Sequence, residues 1–254
     1  MVHMGSLIVG HVDLHRKKNN FISAITHELK APLTSIMMYA EMLEEGWAVG
    51  KEQTYYQHIR WESERLSRLI RNILDFSGLE RGTFKLQRAP LELDTFVTDT
   101  LAALKDWVDK SGLALVVDIQ AAPVVVADKD SLSQVLYNLC DNTIKYGMGG
   151  ETPCLSVSVS ELEDQAILTV WDNGLGVNKE EVGKIFNRFY RIENEMTRES
   201  TGTGLGLALV KDLVEGNEGK IEYFRPEGGG FGVRIMFPRV EDEEIKELSV
   251  QEYA

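Results

Sequence analysis

The sequence has few cysteines, a shortage of basic residues and no hydrophobic run long enough to cross a bilayer. Its two cysteines, Cys140 and Cys154, are too few for a disulfide framework and lack metal-ligand spacing, so we expect core residues in a reducing compartment. Only 27 lysines and arginines stand against 40 acidic residues, which gives a net charge of −13. Because no broad basic face can form, this balance argues against nucleic acid as a partner. A polyanionic ligand must instead be held by a few placed cations and a metal ion.

A chain of 254 residues is long enough for two modest domains. Residues 1–6 look like a remnant of cloning, so we expect an upstream sensor domain to be absent from this sequence. We place the first domain at 7–80 and the second at 83–240, followed by an acidic tail at 241–254. We expect a cytoplasmic location, as the cytoplasmic part of a longer and possibly membrane-bound sensor.

Apolar residues recur every three or four positions along two segments, which is the spacing of amphipathic helices. The first segment covers 14–47 and the second runs from about 52 to 77, with a break between Gly46 and Gly50. Two helices with narrow apolar seams cannot enclose a core by themselves. A second copy of the hairpin would complete a four-helix bundle, so the pattern predicts a homodimer.

Beyond Gly82 the pattern changes to helical segments that alternate with short β-rich runs. The helices are predicted at 93–110, 129–146, 179–185 and 205–215. The strands are predicted at 113–119, 124–127, 155–160, 166–171, 220–224 and 232–237. This order predicts an α+β sandwich with one sheet that carries helices on one face.

His27 lies on the first helical segment, on the wrong face for a core residue. At about 100° per residue it points roughly 165° away from the apolar seam, and therefore toward solvent. A buried, hydrogen-bonded histidine is the ordinary interpretation of such a residue, and this orientation argues against it. An exposed imidazole beside Glu28, which can accept its N–H, is a candidate nucleophile.

Polar residues line one side of the predicted helix 129–146. Asn138 and Asn142 are four residues apart and point the same way, and Lys145 follows one turn later. Amide oxygens suit Mg²⁺, and a lysine offers a point charge to phosphate. Taken alone, the segment is equally well explained as the solvated face of an amphipathic helix.

A second group of candidate residues follows the predicted strand 166–171. Asp172 could accept a hydrogen bond from an adenine amino group, and Gly174 and Gly176 would let the backbone approach a ligand. Without context, an ordinary Asp-Asn-Gly turn explains these residues better.

A third group opens the helix predicted at 205–215. Gly202, Gly204, Leu205 and Gly206 place glycine-rich backbone at a helix N-terminus, which is an anion site. The spacing differs from the dinucleotide fingerprint and from the phosphate-binding loop.

Between the second and third groups, Arg188 and Arg191 are candidate phosphate clamps. The polar segment 193–201 has no hydrophobic periodicity, and we expect it to form a lid over the site. The alternative is a surface helix end with two solvated arginines.

The order and spacing of these groups resemble those of the sensor histidine kinases of two-component signalling, over 21–238. Residues 21–33 are similar to the family's phosphoacceptor box, and the later groups are similar to its asparagine, first glycine, phenylalanine and second glycine boxes. The resemblance implies a helical dimerisation domain carrying the phosphoacceptor histidine. It also implies a Bergerat-type ATP-binding domain, as in the gyrase and MutL superfamily.

The resemblance also implies roles for individual residues. His27 would be the phosphoacceptor and Glu28 its general base, with ATP and Mg²⁺ as cofactors and the receiver domain of a response regulator as partner. Asn142 would ligate the metal, and Asn138 and Lys145 would contact phosphates. The other nucleotide-binding residues would be Tyr146, Asp172 (on the adenine amino group), Gly174, Gly176, Arg188, Arg191 (the best candidate for the γ-phosphate), Gly202, Gly204, Leu205 and Gly206.

The sequence departs from the family pattern at two places. Family members that dephosphorylate their regulator usually carry Thr or Asn four residues after the histidine, where Ala31 stands here. Because Ala31 cannot hydrogen-bond a water, we expect weak or absent phosphatase activity. Cys140 and Thr143 replace the usual Leu and Ala, and we expect consequences for packing only.

Two other classes of function compete with a histidine kinase. An ATP hydrolase of the gyrase type would need a water-activating Glu at position 138, which is occupied by Asn138 here. A dimeric scaffold without chemistry is the second alternative, and the intact His27, Glu28, Asn142 and Asp172 argue against it.

Overall fold

The computed structural model describes residues 2–148, 152–192 and 203–240, with side chains described from residue 22 onward. The chain divides into two compact units. The first contains Met1–Phe84 and Arg188–Leu205, and the second contains Lys85–Asn187 and Gly206–Ala254. Within the described residues, no helix is both long and apolar enough to cross a membrane.

The first unit is built around a hairpin of two long helices, α1 (Val2–Glu44) and α2 (Glu52–Glu80). The turn between them is bracketed by Gly46 and Gly50, whose φ angles of +70° and +76° favour glycine. Ala48 lies between these glycines and is buried. The predicted hairpin is therefore present, although α1 begins twelve residues before the predicted start at residue 14.

Helix α2 also continues past its predicted end. The predicted segment stops at residue 77, just before Gly78, but the helix runs through this glycine to Glu80. The residue that ends the helix is Gly82, whose φ of +65° lets its N–H reach the Leu79 carbonyl at 3.1 Å. A single glycine inside a helix costs only about 1 kcal/mol, and it does not by itself terminate one.

The second unit contains a five-stranded sheet in the order β2-β4-β5-β7-β6, which is antiparallel except for the parallel pair β2 and β4. A separate two-stranded sheet pairs β1 with β3. The strands are β1 (Ala89–Glu92), β2 (Ala114–Ile119), β3 (Val124–Ala127), β4 (Cys154–Leu162), β5 (Gln165–Asp172), β6 (Lys220–Phe224) and β7 (Gly232–Pro238). The helices are α3 (Leu93–Lys110), α4 (Lys129–Tyr146), α5 (Lys179–Val182) and α6 (Gly206–Gly216).

The core of this unit lies on one face of the large sheet. Every second residue of β5 is buried, which is the period of a strand with one face covered. Leu132, Leu136 and Leu139 on α4 and Leu209 on α6 supply fully or almost fully buried side chains. The predicted sandwich is therefore present, but it has two sheets instead of the single sheet that was predicted.

The second sheet was missed because β1 carries almost no strand signal. Ala89–Glu92 has four residues and includes Pro90, which lacks an N–H donor. The strand exists because β3 offers a partner in register, with Pro90 opposite Val126. Long-range pairing of this kind cannot be inferred from a four-residue pattern.

Candidate functional site

His27 is exposed on α1, as predicted. Lys30 and Ala31, one turn further along, are exposed on the same helix. Glu28, by contrast, is only 7 % exposed and shares the covered side of α1 with Pro32. The sequence places Glu28 beside an exposed imidazole, and its side chain lies deeper than that position implies.

The amide residues of α4 lie next to one another, as the spacing predicted. Asn138 is buried and its Nδ2 donates to the Gln134 carbonyl at 2.9 Å. Asn142 is half-buried, and its amide nitrogen is enclosed without a hydrogen-bond partner among the described residues. A Cβ placed on Gly206 would lie 3.7–3.8 Å from both amides. The structure therefore brings Gly206, at the start of α6, to the two asparagines.

Lys145 and Tyr146 end the same helix. The Lys145 ammonium pairs with the Asp141 carboxylate at 2.8 Å, and both side chains are about one quarter exposed, at 23 % and 26 %. Tyr146 is 40 % exposed. Asp141 was not singled out from the sequence, although its place four residues before a lysine is the signal for this ion pair.

Asp172 ends β5 and is only 4 % exposed. Its Oδ1 accepts hydrogen bonds from the backbone N–H of Gly174 at 2.9 Å and of Phe231 at 3.1 Å. The Thr143 hydroxyl donates to the Leu139 carbonyl at 3.2 Å and also lies within reach of the carboxyl group. Burial raises the pKa of Asp172 above its ordinary value, and hydrogen bonding from Gly174, Phe231 and Thr143 only partly opposes the rise.

Close contacts between glycines surround Asp172. A Cβ on Gly174 would lie 2.6 Å from the Cα of Gly147, and a Cβ on Gly176 would overlap the Gly230 carbonyl. A Cβ on Gly230 would in turn overlap the Asp172 carbonyl. Gly176 and Gly230 also have φ angles of +72° and +103°. Larger residues cannot occupy these positions without moving the backbone that holds the carboxylate.

Several members of this cluster were missed from the sequence. Gly147 follows the end of α4 directly, which is the usual signal for a helix-terminating glycine and gives no hint of Asp172. Gly230 belongs to a run of glycines that by itself indicates only a turn, and it also packs against the Asp172 backbone. Thr143 was expected to affect packing only, and the structure places its hydroxyl within reach of Asp172 as well.

Arg188 belongs to the first unit, where it meets the end of α2. Its Nη1 lies 3.5 Å from the Glu80 carboxylate, and its guanidinium stands 5.1 Å from the ring centroid of Phe76. Phe189 contacts the same ring edge-on, with 5.7 Å between centroids. Gly204, with a φ of +69°, accepts a hydrogen bond from the Phe189 N–H at 3.1 Å.

Some of the other predicted residues near Arg188 lie within the described part of the chain, and the rest lie outside it. Leu205 is buried, and Arg191 is exposed. Both belong to the first unit. Gly202 and the predicted lid at 193–201 lie outside the described residues, as does the acidic tail at 241–254.

A protein cage for a metal ion is not present among the described residues, since no three His, Cys, Asp or Glu side chains form a group that could hold one. The chemistry available near Asn142 is different. An enclosed amide without an internal partner can supply one oxygen ligand, because the two ends of an amide are interchangeable by a flip. Magnesium characteristically takes few protein ligands and completes its shell with phosphate and water.

Two family models match the chain. The model of the histidine kinase-, DNA gyrase B- and HSP90-like ATPases matches residues 127–241, and that of the His kinase A (phospho-acceptor) domain matches 17–82. The sensor protein kinase WalK of Staphylococcus aureus is 30 % identical over 228 residues, or 89 % of this chain. The chain belongs to the two-component sensor histidine kinases.

The chain is shorter than these kinase relatives. It spans 54 % of that WalK sequence and 37 % of the WalK sequence from S. aureus strain Newman, to which it is also 30 % identical. Within the histidine kinase family, His27 falls inside the phospho-acceptor match, and Asn138, Asn142 and Asp172 fall inside the ATPase match.

Solved histidine kinases have the same fold. The Acinetobacter baumannii histidine kinase AdeS superimposes with a TM-score of 0.59 at 24 % identity, covering 85 % of this chain and 98 % of that one. Full-length ShkA, solved in complex with AMPPNP, gives a TM-score of 0.59 at 21 % identity, covering 75 % of this chain and 39 % of ShkA. The predicted α+β class, with a helical N-terminal region before an α/β sheet domain, is confirmed.

Proposed function

We propose that this chain is the cytoplasmic catalytic part of a sensor histidine kinase, which binds ATP and transfers its γ-phosphoryl group to His27. The observation that carries the proposal is the exposed position of His27 on a helix within the phospho-acceptor match. A nucleophile that receives a phosphoryl group from a separate unit must be reachable from outside its own helix pair. A histidine buried in the core could not be reached in this way.

The adenine end of the nucleotide would be held by the second unit. Asp172, at the base of the glycine contacts, would accept the adenine amino group, because its buried carboxylate is fixed by hydrogen bonds from two backbone amides. Gly174 and Gly176 would shape the adenine pocket. Tyr146, exposed at the end of α4, would pack near the nucleotide.

The phosphate groups would lie toward the amide side of α4. Asn138 and Lys145 would contact them, with Lys145 exchanging part of its interaction with Asp141 for phosphate. The second glycine group would complete the phosphate site with backbone N–H groups. Its members are Gly202, Gly204, Leu205 and Gly206.

Arg188 and Arg191 would add charge-assisted hydrogen bonds to the phosphates, with Arg191 on the γ-phosphate. The exposed position of Arg191 supports this role. The ion pair between Arg188 and Glu80 is partly exposed and therefore weak, so it could be exchanged for phosphate at little cost.

The residues around Asn142 suit a magnesium ion. The amide of Asn142, enclosed and without a partner among the described residues, would supply the protein ligand. Bound magnesium would neutralise charge on the phosphates during transfer.

The transfer would form a bond between an imidazole nitrogen of His27 and the γ-phosphorus while the bond from that phosphorus to the β–γ bridging oxygen breaks, which releases ADP. The attacking nitrogen must present a lone pair, so the ring has to be neutral. Glu28, once turned out from the covered side of α1, would accept a hydrogen bond from the other N–H of the ring and take up its proton as the N–P bond forms. The protein contributes mainly by positioning the reacting groups in line.

The active form would be a homodimer. One hairpin leaves large apolar side chains exposed on both helices, such as Met37 at 55 % on α1 and Leu74 at 62 % on α2. A second hairpin would cover them in a four-helix bundle. The phospho-acceptor match over 17–82 supports this assembly.

We further propose that phosphorylated His27 passes its phosphoryl group to an aspartate of a response regulator receiver domain, and that an upstream sensor domain controls the kinase. Phosphatase activity toward the regulator would be weak, because Ala31, exposed one turn from His27, has no polar atom in its side chain to hold a water.

Autophosphorylation with γ-labelled ATP tests the proposal. The unaltered chain is expected to take up label that is stable to base and labile to acid, as a phosphohistidine is. His27→Gln should take up none while its affinity for ATP is unchanged, because His27 lies on α1 and is not among the residues proposed to hold the nucleotide.

His58→Gln is the matched control. His58 is an exposed histidine on α2 whose ring stacks on Tyr39 at 4.8 Å, and it should remain dispensable for labelling. Label retained in His27→Gln would overturn the proposed acceptor. Release of inorganic phosphate without any labelled protein would favour the gyrase-type hydrolase, and absence of both would favour a scaffold.

A further inference from the structure

Thr143 connects the two ends of the nucleotide site in the second unit. It directly follows Asn142 on α4, and it is only 3 % exposed. Its hydroxyl has one proton and two acceptors within reach, the Leu139 carbonyl at 3.2 Å and the Asp172 carboxyl group. The conformation of this hydroxyl therefore affects the residue expected to recognise adenine.

The charge of the carboxylate decides between these two acceptors. The Leu139 carbonyl lies one helical turn before Thr143 and already accepts within α4, so a hydroxyl bond there adds little. A hydrogen bond to an ionised carboxylate is roughly twice as strong as one between neutral groups. When Asp172 is ionised, the Thr143 proton is directed to it.

Gly147 lies against both side chains. A Cβ built on Gly147 would lie 2.9 Å from the Thr143 methyl carbon and 3.2 Å from the carboxyl carbon of Asp172. Both side chains thus converge on one point, and Gly147 is the residue that permits it. The contact joins α4 to the end of β5, two elements far apart in sequence.

A third donor restrains the carboxylate from a different element of the fold. The Gly174 and Phe231 N–H groups both bond Oδ1, and they belong to the segments next to β5 and β7. The carboxyl torsion of an aspartate has a broad minimum, so hydrogen bonds of ordinary length still leave the carboxyl group able to rock within it. A donor on α4 narrows this range of orientations.

We propose that Thr143 is a positioning residue, which orients the Asp172 carboxylate so that it accepts the amino group of adenine and thereby sets the selectivity of this chain for adenine nucleotides. The inference rests on the proposed function, in which Asp172 contacts adenine. It assigns to the hydroxyl of Thr143 a role that an aliphatic residue of the same size cannot fill.

The test compares two nucleotides in the full chain. ATP carries the amino group, and purine riboside triphosphate lacks it and is otherwise the same. The Kd of each is measured with magnesium for the unaltered chain, Thr143→Val, which keeps the shape, and Thr143→Ser, which keeps the hydroxyl. Thr143→Val is expected to lower the preference for ATP about three- to tenfold, the usual range for one lost hydrogen bond.

The readout separates orientation from packing. Thr143→Val should weaken ATP and leave the analogue unchanged, and Thr143→Ser should keep the preference. A packing role would weaken both nucleotides together in Thr143→Val, and this result would overturn the inference. Thr143→Ala, in which no methyl group is added, replaces Thr143→Val if thermal unfolding shows that the latter does not fold.

The result also distinguishes the inference from its premise. If the unaltered chain shows no preference for ATP over the analogue, the proposed adenine contact of Asp172 fails, and the inference fails with it. If the unaltered chain prefers ATP and Thr143→Val prefers it equally, only the inference is overturned.

Discussion

The second unit has a core of fully buried apolar side chains, whereas the helical hairpin of the first unit buries few of its apolar residues. Leu132, Leu136 and Ile235 of the α/β unit are 0 % exposed. On the hairpin, Leu74 and Met37 are 62 % and 55 % exposed. One unit therefore forms a core by itself, and the other leaves apolar residues that the proposed dimer would cover.

The functional groups follow the same division. Asp172 is 4 % exposed and fixed by hydrogen bonds, as suits a pocket that must be ready before its ligand arrives. His27 is exposed, as suits a group that would meet a nucleotide and then a second protein. Under the proposed function, the adenine contact lies in the second, closed unit, and exchange with partners lies on the open hairpin. Nucleotide binding and dimer formation should therefore be lost independently, through different substitutions.

The largest effect is expected for Leu74→Glu on the dimer. Burying one leucine contributes about 1.5–3 kcal/mol, and a two-fold symmetric interface contains the residue twice. A charge at that position should therefore raise the dissociation constant of the dimer about 100-fold or more, which sedimentation equilibrium can measure. The affinity for ATP should not change.

Gln57→Glu is the control for this substitution. It introduces the same charge on α2 at an exposed position that is already polar, and Gln and Glu have similar helix propensities. Equal weakening of the dimer in both variants would indicate a general charge effect, and a dimer unaffected by Leu74→Glu would exclude this face from the interface.

A smaller effect, on the closed unit, is expected for Asp172→Asn. Loss of the charged acceptor should weaken ATP binding roughly 10- to 100-fold, the range for a hydrogen bond to an ionised group. The dimer should be unaffected. Equilibrium titration with ATP measures the first result, and retained affinity would contradict the role of Asp172.

The same variant should be more stable than the unaltered chain at neutral pH. Burial raises the pKa of Asp172 above 3.8 in the folded state, so folding favours the neutral form. As pH rises from about 3.8 through the raised pKa, the unfolded state loses its proton first and stability falls. Asn mimics the neutral form and avoids this loss, so its Tm should be higher at pH 7 and the difference should shrink in acid. A lower Tm for Asp172→Asn at pH 7 would contradict this account.

Local patterns in the sequence predicted most of the fold. The bounds of α3 and α4 were predicted to the residue, because each has a continuous apolar stripe and begins just after an extended residue. The start of α1 was placed too late, since the seam is weak before residue 14. The strand β1 was missed because it depends on pairing with β3 rather than on its own residues.

The site could be predicted as groups of residues but not as contacts. The spacing of Asn138 and Asn142 on a helix fixes their common direction, and the structure agrees. The contact of Thr143 and Gly147 with Asp172 joins segments about 25 to 30 residues apart, and no local pattern encodes it. The exposure of His27 was predictable because it depends only on helical periodicity.

The smallest expected effect concerns the exposed surface beside His27, where neither the pocket nor the dimer is involved. Ala31→Thr adds a hydroxyl one turn from the histidine, on a side chain that is exposed in this chain. A hydroxyl there could hold a water against the phosphorylated aspartate of a regulator. One neutral hydrogen bond is worth about 0.5–1.5 kcal/mol, so dephosphorylation should accelerate about two- to tenfold.

The measurement is the loss of label from a receiver domain that the kinase has first phosphorylated, followed after removal of ATP. Ala31→Val is the matched control, because it has nearly the shape of threonine without the hydroxyl. Acceleration by Thr but not by Val would show that the unaltered surface lacks only a water-binding group. Equal rates in all three proteins would mean that Ala31 does not limit the phosphatase reaction, and fast dephosphorylation by the unaltered chain would contradict the prediction from the outset.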